Sequence, residues 1–307
     1  MKKILLLAAL LYINSIVYAQ KVVEPSTSNH PDWSKPYPPF QIAGNLYYVG
    51  TFDLACYLIV TSQGNILINT GLASSAPVIK ANIEKLGFKF DNIKILLTTQ
   101  AHFDHVGAMA AIKRMTGAQL MINEGDAGVM ADGGRSDYAM GAKICVFEPV
   151  KTYTILHNDN IIRLGSTQLT LLNHPGHTKG SCSFLFDVKD KTRSYRVLIA
   201  NLPTIITDKK FTDIPAYPHI AQDYAYTLKA MKGLKFDIWL ASHASQFDLA
   251  NKHKPGDKYN PAAFMDRKGY DTQLDQLQKE FDRKMAQNKS DNLYSIARLP
   301  ATRTMLL

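Results

Sequence analysis

The stretch that most limits what this chain can become is residues 94–108, KILLTTQAHFDHVGA. Its apolar run, Ile95-Leu96-Leu97, reads as a buried strand. The run empties at Thr98-Thr99 into a turn that gathers His102, Asp104 and His105, and the pattern predicts a helix opening at Gly107. Two imidazoles and a carboxylate within four residues combine borderline and hard donors, which suits Zn²⁺ in one shared site or two adjacent ones. A merely solvated turn needs no such set, so this cluster is where chemistry is expected.

Two more stretches repeat the device. TLLNHPGHTKGS, residues 170–181, runs an apolar strand into a Pro-Gly turn that presents His174 and His177, and FDIWLASHAS, residues 236–245, delivers His243. Three strands that each hand a histidine to a loop are not explained by packing. Together they predict a converging metal centre.

The order T-x-Q-x-H-x-D-H, then P-G-H-T-x-G, then a late S-H, resembles the metallo-β-lactamase superfamily. The phrases QIAGNLYYVGT, HPGHTKGSCSF, YRVLIAN and ASHASQFD narrow the resemblance to the third subclass and, within it, to the GOB-type enzymes, which also carry Gln where the motif's first His is expected. The resemblance spans nearly the whole chain after the leader. It implies an α+β fold, the αβ/βα sandwich of two mixed β-sheets flanked by helices, with metals at the sheet edge. By the same resemblance Gln100, His102 and His177 form one zinc position, and Asp104, His105 and His243 the other. The second set is a three-ligand frame with room for water and substrate. Gln100 offers only a neutral amide oxygen, a poorer zinc ligand than imidazole. The expectation is one firmly held zinc at Asp104/His105/His243 and a weak or partial second one at Gln100/His102/His177.

The activity implied is hydrolysis of the β-lactam amide of penicillins, cephalosporins and carbapenems by zinc-activated hydroxide, with Asp104 both ligating and orienting the nucleophile. The partner would be a small-molecule β-lactam. Another hydrolase of the same fold, a lactonase or thioesterase, is the alternative, followed by a non-catalytic zinc-binding protein. Such hydrolases normally keep the first His and a strand-end Asp, where this chain has Gln100 and Asn69. Five of the six ligand positions are intact, which argues against an inert relic.

Three residues are expected at the substrate by resemblance. Trp33 lies in a Pro- and aromatic-rich arm, residues 29–40, placed beside the mouth; pinning that arm to the core is an equal reading. Tyr138 belongs to GDAGVMADGGRSDYAMG, read as a loop on the groove rim because of its paired glycines. Thr204 follows the strand RVLIA, where many subclass members carry carboxylate-binding serines; it reads equally as a turn residue.

The amino terminus, MKKILLLAALLYINSIVYAQ, has two lysines, a short apolar run and Val17-Tyr18-Ala19 before Gln20. It reads as a cleavable secretory signal over residues 1–19, leaving a single domain over 20–307, exported to the periplasm and free of the membrane after cleavage. The formal charge of +9 is scattered among acidic residues without a basic stripe, so no nucleic-acid partner is expected. A monomer is expected. Cys56, Cys145 and Cys182 have no zinc-knuckle spacing, and no essential disulfide is expected. Residues 152–202 alternate apolar runs with turns, TYTIL, IIRLG, TQLTLL, CSFLFDV and YRVLIANL, and should form a second sheet. A charged tail from about Asp271 to Asn288 should be a surface helix.

Overall fold

The computed structural model describes residues 21–141 and 144–296; the expected leader at 1–19 lies outside them. Four short strands, β1 (Phe40–Ala43), β2 (Leu46–Tyr48), β3 (Tyr57–Thr61) and β4 (Gly64–Ile68), form an antiparallel meander. The helix α1 (Ala76–Lys85) then carries the chain to β5 (Ile93–Leu97), which pairs parallel to β4. After α2 (Phe103–Val106) and α3 (Met109–Thr116), β6 (Gln119–Asn123) continues the parallel run. Next come α4 (Glu124–Asp132) and β7 (Thr154–Leu156), the last strand of this seven-stranded sheet. The second, five-stranded sheet holds β8 (Ile161–Leu164), β9 (Thr167–Asn173), β10 (Cys182–Lys189) and β11 (Ser194–Ala200) antiparallel. The helix α5 (Ile220–Lys232) crosses over to β12 (Ile238–Ala241), parallel to β11; α6 (Leu249–Lys252) and the long α7 (Arg267–Ile296) follow.

The expected architecture of two mixed sheets flanked by helices is present, and the sequence explains it. Ile66 and Ile68 of β4 face the core between the sheets while Leu67 faces the helices, so the strand is apolar without alternation. Leu169, Leu171, Phe184 and Phe186 close the inner core from the other sheet. On the outside Ile79 and Ile83 of α1, one turn apart, pack with Leu58 and Leu96. Each such side chain contributes about 1.5–3 kcal/mol on burial. On α7, Tyr270, Leu274, Leu277 and Phe281 recur at helical spacing and reach the inner core, where Tyr270 donates to the Met231 carbonyl at 2.9 Å. Among the described residues no helix is long and apolar enough to cross a membrane. The three cysteines are free and buried.

Four local expectations need correction. The segment read as a rim loop begins with α4: Asn123 Oδ1 accepts from the Gly125 amide at 3.0 Å as its cap, Glu124 and Asp126 occupy the first turn, and Gly133, at φ 72°, ends it. The paired glycines mark a helix end, not a wholly irregular stretch. TYTIL was expected in the second sheet but supplies β7 at the edge of the first, with Met121 opposite Thr154; alternation encodes a strand, not its partner. The tail helix starts at Arg267, not Asp271. The helix expected to open at Gly107 is α3, which starts at Met109 with Ala108 as its N-cap, and a short extra helix, α2, precedes it from Phe103. A Cβ on Gly107 would stand 2.4 Å from the Ala73 amide nitrogen, so glycine is there for close approach between loops.

The carboxyl ends of β4, β5, β9, β11 and β12 meet at one edge of the sandwich. There the two sheets are stitched together. The Cys182 amide donates to the Thr99 carbonyl at 2.9 Å, the Ala55 amide to the Ser242 carbonyl at 3.1 Å, and the Thr99 and Ser242 hydroxyls lie 2.8 Å apart.

Candidate metal centre

The loop after β5 is fixed before any ligand is placed. Asn69, buried with φ 63° at the end of β4, accepts on Oδ1 from the Thr99 amide at 3.0 Å and from the Thr98 and Thr99 hydroxyls at 3.2 Å. Three donors on one oxygen need no charge, which explains how Asn serves where Asp was expected. Asp126 of α4 fastens the loop to the one after β9. Its carboxylate accepts from the Ala101 amide and the Thr178 hydroxyl at 2.8 Å and from the Gly180 amide at 2.9 Å. Burial pushes its carboxyl above the ordinary range despite those bonds.

The first half of the centre is Asp104, His105 and His243, whose ligand atoms lie within 4.8 Å of one another. Asp104 Oδ2 is 3.2 Å from His105 Nε2 and 3.4 Å from His243 Nε2. The imidazoles of His105 and His243 stand nearly perpendicular, 4.9 Å apart. Asp104 Oδ1 and both ring nitrogens of His105 are buried without an aligned hydrogen-bond partner. Such orphans are rare, and each costs about 1–3 kcal/mol unless something else satisfies it. Two imidazoles and a carboxylate with unspent lone pairs fit zinc. Burial opposes charge on Asp104, but His105 and His243 overcome it and hold the carboxyl well below its usual range.

His243 is held from behind by Asp53. Asp53 Oδ2 accepts from His243 Nδ1 and from the Trp33 indole, both at 3.1 Å, and Oδ1 accepts from the Ser245 amide at 2.9 Å. Burial works against the imidazolium, yet Asp104 and Asp53 raise its pKa to about 9, so without a metal this ring carries a proton.

The residues expected at a second zinc position are Gln100, His102 and His177. The His102 and His177 rings lie 4.9 Å apart. His102 Nε2 is 3.3 Å from Asp137 Oδ2, and His177 Nδ1 is 2.8 Å from the Thr204 carbonyl and 2.9 Å from its hydroxyl. Gln100 Oε1 accepts only a long bond, 3.5 Å, from Asn201. Burial, reinforced by His102, pushes His177 down to about 3. His102 goes up, because Asp137 outweighs the cost of burial.

A model of the metallo-β-lactamase superfamily matches residues 50–190. The fold superposes on LRA-12, a class B3 di-zinc metallo-β-lactamase from an Alaskan soil metagenome, with TM-score 0.85 and 66% identity, over 86% of this chain and 99% of that one. The chain belongs to the metallo-β-lactamase superfamily. It is also similar to the metallo-β-lactamase GOB-18 from Elizabethkingia meningoseptica, at 56% identity and TM-score 0.86 over 88% of this chain and 99% of that one. The N-acyl homoserine lactonase of Bacillus cereus is 24% identical over 203 residues, 59% of this chain and 74% of the relative.

Within this metallo-β-lactamase site Asp104, His105 and His243 converge, the His102 and His177 rings face each other, and Gln100, in the same loop as His102, meets Asn201. The polar atoms of the three expected substrate residues are engaged by the protein: the Trp33 indole by Asp53, the Thr204 hydroxyl by His177, and the Tyr138 hydroxyl by the Gly176 carbonyl at 3.2 Å. The Trp33 ring, stacked on His30, lies 5.6 Å from the His243 ring, so the arm does reach the centre. His174 turns its Nδ1 to the Ser183 hydroxyl at 2.6 Å and joins neither group. Sequence reading missed Asp53, Asp126 and Asp137. Each lies in a segment without ligand spacing, and only the pairing of distant loops reveals it.

Proposed function

We propose that this protein is a zinc-dependent β-lactamase that opens the lactam of penicillins, cephalosporins and carbapenems and so confers antibiotic resistance. The observation that carries the reading is the Asp104/His105/His243 set, with buried, unpartnered donor atoms on Asp104 and His105, in a chain 66% identical to a class B3 enzyme. Asp104, His105 and His243 would hold one zinc firmly, and Gln100, His102 and His177 a second, weaker one. Bound zinc lowers the pKa of water from 15.7 toward about 7 and polarises a carbonyl.

The chain's own residues supply the rest. Asp104 turns Oδ2 toward two imidazoles and keeps Oδ1 without a partner, free to accept a hydrogen bond from the attacking water and hold it in line. Asp53, accepting from His243 Nδ1, commits His243 Nε2 to the site. Trp33 stands beside His243 as an apolar wall for a substrate ring. When the C–N bond breaks, the released nitrogen takes the proton that water gave up.

The leader motif supports export to the periplasm, where cell-wall antibiotics are met, and the scattered charge, without a basic stripe, supports the absence of a nucleic-acid partner; the protein is proposed to act as a monomer. The test is hydrolysis of a penicillin, a cephalosporin and a carbapenem by protein beginning at Gln20. Turnover that is abolished by chelation and restored by Zn²⁺ is expected. No lactam turnover by zinc-loaded protein, with turnover of an acyl-homoserine lactone, would replace the reading by the lactonase alternative.

A further inference from the structure

The weaker half of the centre has a support that its poor ligand set does not explain. Asp137 is buried, and its two oxygens have separate tasks. Oδ1 accepts from the amides of Ala139 at 2.9 Å and Met140 at 2.6 Å, while Oδ2 faces His102 Nε2 at 3.3 Å. A carboxylate can only accept, so the hydrogen of neutral His102 must sit on Nε2. The lone pair is left on Nδ1. Across the site His177 gives its Nδ1 hydrogen to the Thr204 carbonyl, which leaves its lone pair on Nε2. Both rings are therefore set in a ligand tautomer by groups outside the site. Gln100 has no comparable constraint beyond the long contact from Asn201.

Resting on the zinc reading above, we propose that Asp137 is a positioning residue that keeps the Gln100 half metal-competent by fixing the tautomer of His102, partly offsetting the missing third imidazole. The carboxylate also raises the basicity of the ring it binds, an effect whose loss typically costs 10–100-fold in metal affinity. The segment that carries Asp137 is braced for the task. The Tyr138 hydroxyl donates to the Gly176 carbonyl, next to His177, so one short segment touches both histidine loops.

The geometry separates tautomer control from mere packing. In Asp137→Asn the two backbone amides still require an oxygen, so the new NH₂ must face His102. It would donate to Nε2 and force the ring hydrogen onto Nδ1, into the metal's place. Asp137→Ala removes the clamp but imposes nothing. The experiment is stepwise zinc binding to metal-free protein, read by competition with a chromogenic chelator, for wild type, Asp137→Asn and Asp137→Ala, with thermal unfolding of each metal-free variant as the folding control. The expected result is loss of affinity for the second zinc of about 10-fold in Asp137→Ala and about 100-fold in Asp137→Asn, with the first zinc unchanged. Equal second-zinc affinity in all three proteins, or a larger loss in Asp137→Ala than in the near-isosteric Asn variant, would overturn it. Wild type that binds one zinc only would overturn the two-site reading itself, a distinct outcome. None of these readouts depends on lactam turnover.

Discussion

Around Asp104, three charged or ionisable ligand groups converge with buried lone pairs that nothing in the protein satisfies, while around Gln100 two histidines meet across a site whose third member is a neutral amide. Both halves share one edge of the sandwich, and both have histidines fixed from outside: His243 by Asp53 in the first, and His102 and His177 by Asp137 and Thr204 in the second, while the ring nitrogens of His105 keep no aligned partner. The difference shows that affinity and preorganisation are separate properties of a metal site. The donor set decides how strongly an ion is held. The surrounding hydrogen bonds decide whether the rings wait in the right orientation. In the two-zinc reading proposed above, the Gln100 half has the second property with a weaker share of the first.

Breaking the strong half should have the largest effect. His243→Ala removes a ligand and exposes the Asp53 carboxylate, so hydrolysis should fall by on the order of 10³-fold, the scale of a metal's contribution of several kcal/mol, with zinc content falling in parallel. Activity kept within about tenfold would break the comparison. Asp53→Ala leaves all six ligands in place and frees His243 Nδ1. Zinc affinity at the Asp104 half should drop about 10–100-fold while the other half is unaffected, measured by chelator competition. Conversely, Gln100→His should tighten the second zinc by about tenfold or more and leave the first alone.

The smallest expected effect is on the stability of metal-free protein, and here individual histidines respond to pH in opposite directions. His243, raised to about 9, contributes stability that is complete below its unfolded value near 6.5 and is lost as pH rises through 9. His177 and His174, pushed down to about 3 by burial, refuse a proton that the unfolded chain accepts. Their contribution is lost as pH falls below 6.5, by up to about 1.4 kcal/mol per pH unit each. Asp104, held low, adds to the loss at still lower pH. Denaturant midpoints of metal-free protein should therefore peak near pH 6.5; a midpoint rising steadily from pH 6 to 9 would contradict the assignment for His243.

The six residues at the centre were legible because they stand in three short motifs at strand ends, and a strand end in a sandwich of this kind has one edge to go to. The sheets were legible because central strands such as β4 and β12 are buried throughout and read as apolar runs, while others such as β9 alternate buried with exposed or half-buried residues. Sheet membership was not, as TYTIL shows: the three residues of β7 would suit either edge. Nor were Asp53, Asp126 and Asp137 visible. An aspartate's sequence neighbours say nothing of a histidine 190 or 35 positions away, and the bonds that give these residues their role form only when the loops pack. Asn69 was visible as a departure but not as a solution. Its three donors explain it only in three dimensions.

The most direct test of an unequal centre is to titrate metal-free protein with Zn²⁺ while following bound metal and hydrolysis of a carbapenem in the same samples. Two resolved binding steps are expected, with most of the activity appearing as the first equivalent fills the Asp104 half, and with that step lost in His243→Ala. Two steps of equal affinity, or activity that appears only with the second equivalent, would contradict it.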